Sequence, residues 1–310
     1  MAETVSAADI RTLPEQAEPT EAEQTVPAEK VRRPALSPSR ASDFKQCPLL
    51  YRFRAIDRIP ETPSRAQIRG TVVHSVLERL FALPAADRVP EQAYTLVEPA
   101  WSELLAERPE LAELFTGPED PELAEWLASA KSLLDAYFQL EDPRRLRPEA
   151  CELRVEAELD SGLRLRGFID RLDVAPTGEI RVVDYKTGAA PREFGEAKAL
   201  FQMKFYALAL YRLRGVVPRQ LLLMYLADQQ SLAYTPDEAE LLRFEKLLDA
   251  VWQAILRAGR TGDFPASTSK LCDWCDHKAR CPAFGGTPPP YPGWPDTTDL
   301  EPDSPLDRVD

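Results

Sequence analysis

The chain has 310 residues, 44% of them hydrophobic, and a formal net charge of −13, enough apolar material for a sizeable core in one large domain or two small ones. No run of eighteen apolar residues occurs, and the opening "MAETVSAADIRTLPEQAEPTEAEQ" has neither the basic start nor the apolar stretch of a secretory leader, so the expectation is a cytoplasmic protein that does not enter a membrane. The acidity argues against a nucleic-acid partner only until it is divided: residues 1–30 hold seven acids and two bases, residues 287–310 six acids and one base, whereas residues 31–70 hold nine bases against three acids.

Residues 1–35 and 287–310 are rich in Pro, Glu, Asp and Thr and carry too little apolar area to offset the entropy of ordering. They read as disordered acidic tails around a folded region of residues 36–286. Ser37 before Pro38 is an N-cap and first-turn pair, predicting a short helix to about Gln46 that Cys47 and Pro48 end. In "QIRGTVVHSVLERLF", Ile68, Val72 or Val73, Val76 or Leu77, Leu80 and Phe81 recur at helical spacing. Residues 84–148 read as a helical insertion of two or three helices, with Trp101, Leu104, Leu123, Trp126, Leu133 and Tyr137 in its apolar stripes and no evident chemistry. From Cys151 the period changes to two. "CELRVEAEL", "LRLRGFIDRLDVA" and "EIRVVDYKT", separated by turns, predict an antiparallel meander. A helix over residues 195–215, a buried strand in "RQLLLMYLA" and a long amphipathic helix over residues 236–258 follow. The fold class is therefore α/β, with a central mixed sheet flanked by helices.

The third strand carries charges that a buried strand does not ordinarily hold. Alternation puts Asp184 and Lys186 on one face with Ile180 and Val182, and Val183 and Tyr185 on the other. Both faces are largely apolar, so the strand is central, and an unpaired charge there is costly. A plain Asp–Lys ion pair is the simplest account. Asp170, however, shares a face with Phe168 and Leu172 on the strand before, one hairpin away, and two acids on neighbouring strands plus a lysine make a candidate divalent-metal site. Glu152 and Glu156 share a face with Arg154 and read as solvated, and Cys151 reads as an ordinary buried thiol. Lys186 to Gly188 also spells the K-T-G of penicillin-binding proteins, but the S-x-x-K at Ser267 to Lys270 comes in the wrong order and no S-D-N occurs, which excludes that chemistry.

The histidine of "RGTVVHSVLERL", the "GFIDRLD" strand, "DYKTG", and Gln202 and Tyr206 as Q-x-x-x-Y resemble, in this order, the RecB-type branch of the PD-(D/E)XK nuclease superfamily. The likeness extends from "LSPSRASDFKQCPLLYRF" to "CPAF". It implies a restriction-endonuclease-like core and a metal-dependent DNA exonuclease serving DNA repair, recombination or related processing. His74, Asp170, Asp184 and the backbone carbonyl of Tyr185 would hold Mg or Mn, Lys186 would orient or activate the attacking water, and Gln202 and Tyr206 would position the site or the strand. The alternative is a non-catalytic DNA-binding or helicase-docking module. The presence of His74, Asp170, Asp184 and Lys186 together favours an active nuclease.

Cys272, Cys275 and Cys281 form C-x2-C-x5-C, with Cys47 far upstream, a pattern that in a cytosolic chain points to metal rather than disulfide. Four thiolates suit Zn or an iron-sulfur cluster. One lone and three clustered cysteines, with a proline after Cys47 and after Cys281, resemble the 4Fe-4S staple of the AddB nuclease domain, which favours the cluster with Zn as the alternative. It would tie the two ends of the folded region together. Arg52, Arg54 and Arg58 on one side, with Lys270, Lys278 and Arg280 on the other, would then form a basic rim for DNA phosphates. No G-x-x-x-x-G-K-[ST] occurs, so ATP-driven unwinding would need a separate helicase subunit.

Overall fold

The alternating residues after Ala150 build the sheet on which the rest of the chain is layered. In a computed structural model, which describes residues 35–190 and 196–294, the chain opens with a two-residue strand, β1 (Ala35–Leu36). Helix α1 (Pro38–Gln46) follows, its first turn closed by the Ser37 hydroxyl accepting from the Arg40 amide at 3.2 Å. Then come α2 (Pro48–Tyr51), continued by a π-helical turn over Arg52–Ile56, and α3 (Arg65–Ala82). A capping box of Ser64 and Gln67 starts α3, each side chain satisfying a backbone N–H that the helix itself cannot. Helices α4 (Pro90–Glu107) and α5 (Pro121–Leu140) lead into β2 (Ala150–Glu158), β3 (Arg164–Val174) and β4 (Ile180–Lys186). The order ends α6 (Glu196–Arg214), β5 (Gln220–Tyr225), β6 (Gln230–Tyr234) and α7 (Glu238–Thr261).

The meander is antiparallel as expected, and α6 crosses over to place β5 parallel to β4. Two strands were not foreseen: β1, which pairs parallel to β3, and β6, a polar edge strand antiparallel to β5. Strand β3 is the hub. One of its edges pairs with β2 from Arg164 to Leu172, while the other pairs with β1 at Arg164 and Leu165 and with β4 only from Arg171 onward.

Each face of the sheet has its own core. One joins Leu165, Ile169, Leu172, Val182 and Leu223 to α1, α6 and α7. The other joins Val183, Tyr185 and Met224 to α3, α4 and α5. The helices expected as an insertion are thus half of an α/β/α sandwich, because the apolar second face of β4 and β5 has to be covered. Among the described residues, no helix is long and apolar enough to cross a membrane.

The boundary drawn at residue 287 shifts. Residues 1–34 and 295–310 lie outside the described residues, but residues 287–294 lie against α7 instead of beginning the C-terminal tail. The Tyr291 hydroxyl donates to the Gly259 carbonyl at 2.6 Å, and the buried Arg52 guanidinium donates to the Pro289 carbonyl at 2.6 Å. A Cβ on Gly259 would come within 2.0 Å of the Trp294 ring. Gly262, at φ 72°, closes α7 in the left-handed conformation beside Tyr291, which glycine adopts without the Cβ penalty. Pro and aromatic content alone hid this contact, which needs the glycine notch on α7. Gly259→Ala should lower stability by about 1–3 kcal/mol and open residues 287–294 to protease, measured by urea unfolding and limited proteolysis.

Candidate active site

The site forms where β3 and β4 part. The last paired residues are Arg171 and Val183, and beyond them the Tyr185 amide donates instead to the Asp170 carboxylate at 2.8 Å. The next residue on each strand is a buried acid, Asp170 on β3 and Asp184 on β4, so both stand at the fork. From α3, His74 sets Nε2 2.9 Å from the Tyr185 carbonyl oxygen, while Nδ1 lies 3.5 Å from Asp170 and 3.8 Å from Glu152. From the opposite layer, Gln202 on α6 donates to Asp184 at 3.0 Å and to the Tyr206 hydroxyl at 3.2 Å, and accepts from the Lys186 ammonium at 3.1 Å. Lys186 also pairs with Asp184 at 2.9 Å. Gly167 leaves room for Tyr206, since a Cβ there would come within 2.7 Å of that ring.

Burial, and then the Asp170 charge, push the Asp184 carboxyl up to about 6 against the pull of Lys186. Two carboxyls this close repel, and a cation between them is the ordinary remedy. His74, Glu152 and Asp170 each offer one ligand atom within 4.8 Å of the others, a grouping able to hold a metal ion. The 2.9 Å between His74 Nε2 and the Tyr185 oxygen also matches adjacent ligand positions about an octahedral ion with bonds of ~2.1 Å, which lie about 3 Å apart. The donor set of carboxylates, a carbonyl and one imidazole suits Mg or Mn.

Glu152 is the residue that sequence reasoning placed wrongly. Far from lying on a solvated face, it stands opposite Asp170 in the β2–β3 register, and its φ of 49° departs from the strand to bring its half-buried carboxylate toward His74. A non-glycine residue at such a φ is strained and often marks function. Only the register could have revealed it. Cys151 beside it is half-buried, its thiol pushed up to about 12 by burial, in keeping with an inert packed thiol.

The expected basic rim divides. Arg52 is buried and ion-paired with Asp57 at 3.0 Å. Arg54 is held by Asp43 at 2.7 Å and Glu61 at 2.8 Å, and Glu61 also pairs with the buried His277 at 2.8 Å. Those two arginines brace the segment before α3 and have no charge to spare for a phosphate. Arg58, Lys270 and Arg280 are exposed, and Lys278 pairs with Asp273 at 2.8 Å. Cys47, Cys272, Cys275 and Cys281 are all free and half-buried. Burial raises the Cys275 thiol, and the nearby Cys47 and Cys272 raise it further. Backbone amides of Ser267 and Ser269 donate to the sulfurs of Cys47 and Cys272 at 3.4 and 3.3 Å.

The α/β/α layering, with acids gathered at the fork of two central strands, defines a restriction-endonuclease-like fold. A family model of the PD-(D/E)XK nuclease superfamily matches residues 35–282, and the chain belongs to that superfamily. It is 26% identical over 298 residues to the Gene 69 protein of Mycobacterium phage L5, spanning 82% of this chain and 98% of that protein. Against the Gene 69 protein of Mycobacterium phage D29 the identity is 25% over 283 residues, spanning 82% and 99%. In fold it is similar to the crystal structure of a candidate exonuclease from Eubacterium rectale, with TM-score 0.54 and 15% identity over 83% of this chain and 93% of that one.

The raised Asp184 gives a signed pH effect. The native state keeps a proton that the unfolded chain releases, so this contribution is full below the unfolded carboxyl value near 3.8 and is lost as pH rises through about 6. In metal-free protein, the unfolding free energy from urea melts of the wild type relative to Asp184→Asn should fall between pH 4 and pH 7 by up to about 3 kcal/mol. Glu152→Gln should weaken Mn binding by about 10–100-fold, read by calorimetry.

Proposed function

We propose that this chain is a divalent-metal-dependent DNA nuclease of the RecB type, degrading DNA from its ends in repair, recombination or related processing in the cytoplasm. The observation that carries the reading is the Lys186 ammonium, held by Asp184 and Gln202 on the strand whose fork gathers Asp170, His74 and the Tyr185 carbonyl. A buried ion pair serving stability alone would need neither the second acid nor the histidine.

Mg or Mn held by His74, Asp170, Asp184 and the Tyr185 carbonyl would supply Lewis acidity toward a phosphate oxygen and a water of lowered pKa. The chain's own groups do the rest. Lys186 faces the attacking water and offsets charge developing on the scissile phosphate. Gln202 ties Lys186 and Asp184 together, its amide accepting from the one and donating to the other. Tyr206 fixes the orientation of that amide through its hydroxyl. Glu152, 3.8 Å from His74 Nδ1, adds negative charge beside the imidazole that faces the Tyr185 carbonyl.

Cys47, Cys272, Cys275 and Cys281 are proposed to hold a 4Fe-4S cluster, with Zn as the alternative. Supporting this are the C-x2-C-x5-C spacing with Cys47 near Cys275 and the backbone N–H groups that reach the Cys47 and Cys272 sulfurs. Arg58, Arg280 and Lys278 are the proposed phosphate contacts, the proposed nuclease domain spans residues 36–286 together with residues 287–294 that pack on α7, and a separate helicase subunit would supply unwinding.

Anaerobically purified protein with Mg or Mn should degrade end-labelled DNA to a ladder that starts at the ends, and its visible spectrum should show the broad absorption of an iron-sulfur cluster. Lys186→Ala and Asp184→Ala should each lose about 10²–10³-fold or more of the rate with unchanged circular dichroism. Cleavage by Lys186→Ala at the wild-type rate would sink the catalytic assignment.

A further inference from the structure

Behind the fork lies a charged cluster that the chemistry above does not use. Arg171, the residue after Asp170, is completely buried, yet it carries a full charge. Its partners come from two layers. Glu141, at the C-terminal end of α5, binds it through both carboxylate oxygens, one of them at 3.0 Å. Asp173 on its own strand pairs with it at 3.1 Å and is shared with Arg181. The remaining donor is aimed forward: Nη1 donates to the Tyr185 hydroxyl at 2.6 Å. The guanidinium also lies 5.1 Å from the Phe81 ring centroid and 5.7 Å from that of Tyr185. Tyr137 of α5 and His74 of α3 meet the Tyr185 ring edge-on at 5.7 and 6.0 Å.

Tyr185 is thus gripped at its side chain by the α3–α5 layer, while its backbone amide and carbonyl lie at the fork. Its amide binds Asp170 and its carbonyl meets His74. On the β5 side the ladder still runs past Tyr185, which pairs with Met224, but on the β3 side it ends at Val183, so β3 offers no backbone partner to hold the Tyr185 amide and carbonyl at the fork. A side chain anchored at its far end adds a hold on that side. A fully buried guanidinium is costly to desolvate, and an apolar residue would fill the space without that cost. What the guanidinium adds is direction, since a planar fork fixed by two carboxylates holds the phenol at one distance and one angle.

We propose that Arg171, held by Glu141, is a positioning residue for metal binding: it locks the Tyr185 side chain so that the Tyr185 carbonyl and the Asp170 carboxylate are presented together with His74. The helical layer thereby sets the metal affinity of a site to which α4 and α5 contribute no proposed ligand. The inference rests on the metal-site reading given under Proposed function. Its sharpest variant is Tyr185→Phe, which removes the anchored hydroxyl, keeps the ring and leaves Arg171 paired with Glu141 and Asp173. Glu141→Gln is the second, loosening the anchor from the other end.

Mn binding to the full-length protein, measured by calorimetry and by the electron paramagnetic resonance of free Mn, should weaken about tenfold or more in Tyr185→Phe and in Glu141→Gln. High Mn should restore most of the cleavage rate. Gly259→Ala, which lowers stability far from the fork, should leave Mn affinity unchanged, separating positioning from general loosening. If Tyr185→Phe and Glu141→Gln bind Mn as the wild type does while Asp170→Asn does not, the positioning role is overturned and the metal site stands. If Asp170→Asn itself binds Mn like the wild type, the metal reading falls and this inference with it.

Discussion

The interruption of one ladder organises this molecule. Strands β3 and β4 stay paired from Val174 and Ile180 to Arg171 and Val183 and then separate. Had the pairing gone on, the Tyr185 amide would have been spent on a backbone carbonyl instead of on the Asp170 carboxylate. Instead the amide bonds that carboxylate, and the opening admits His74 from one helical layer and Gln202 from the other. The cost is two acids confined in a water-poor space, visible in the raised Asp184. Lys186 and Gln202 lower that cost.

The seven residues of β4 divide the work by their alternation. Asp184 and Lys186 turn toward α6, where the Gln202 amide donates to the carboxylate with its nitrogen and accepts from the ammonium with its oxygen. Val183 and Tyr185 turn toward α3, α4 and α5. Chemistry and support therefore lie on opposite sides of a single strand. This explains why β4 is buried on both faces although it carries the most reactive pair in the chain.

Much of this was legible in the sequence because the strand period is rigid. "RVVDYKTG" fixed which side chains share a face, and the hairpin fixed the neighbour of Asp184. Glu152 escaped because alternation describes a regular strand, and this residue leaves the β region at the very position that meets Asp170. Arg52 and Arg54 were misjudged for a different reason. Residues 31–70 contain only three acids, and the fold brings all three, Asp43, Asp57 and Glu61, onto those two arginines. A count of charges cannot show which pairs fold together. Strand β6 is polar and mostly exposed, so the apolar signal that reveals a buried strand is weak there.

The first and last described parts of the chain are built into one another. Phe53 meets the His277 ring at 5.1 Å, the Thr62 amide donates to Asp276 at 3.2 Å, the Ser267 amide to the Cys47 sulfur, and Arg52 to the Pro289 carbonyl. Segments made early on the ribosome therefore wait for partners made more than two hundred residues later. At about 5–20 residues per second, the region before α3 spends on the order of ten seconds or more with Arg52 and Phe53 lacking their final neighbours. Folding of this protein closes only after the last helix and the residues beyond it have emerged, which makes the nascent chain, more than the finished one, the form most exposed to misassembly.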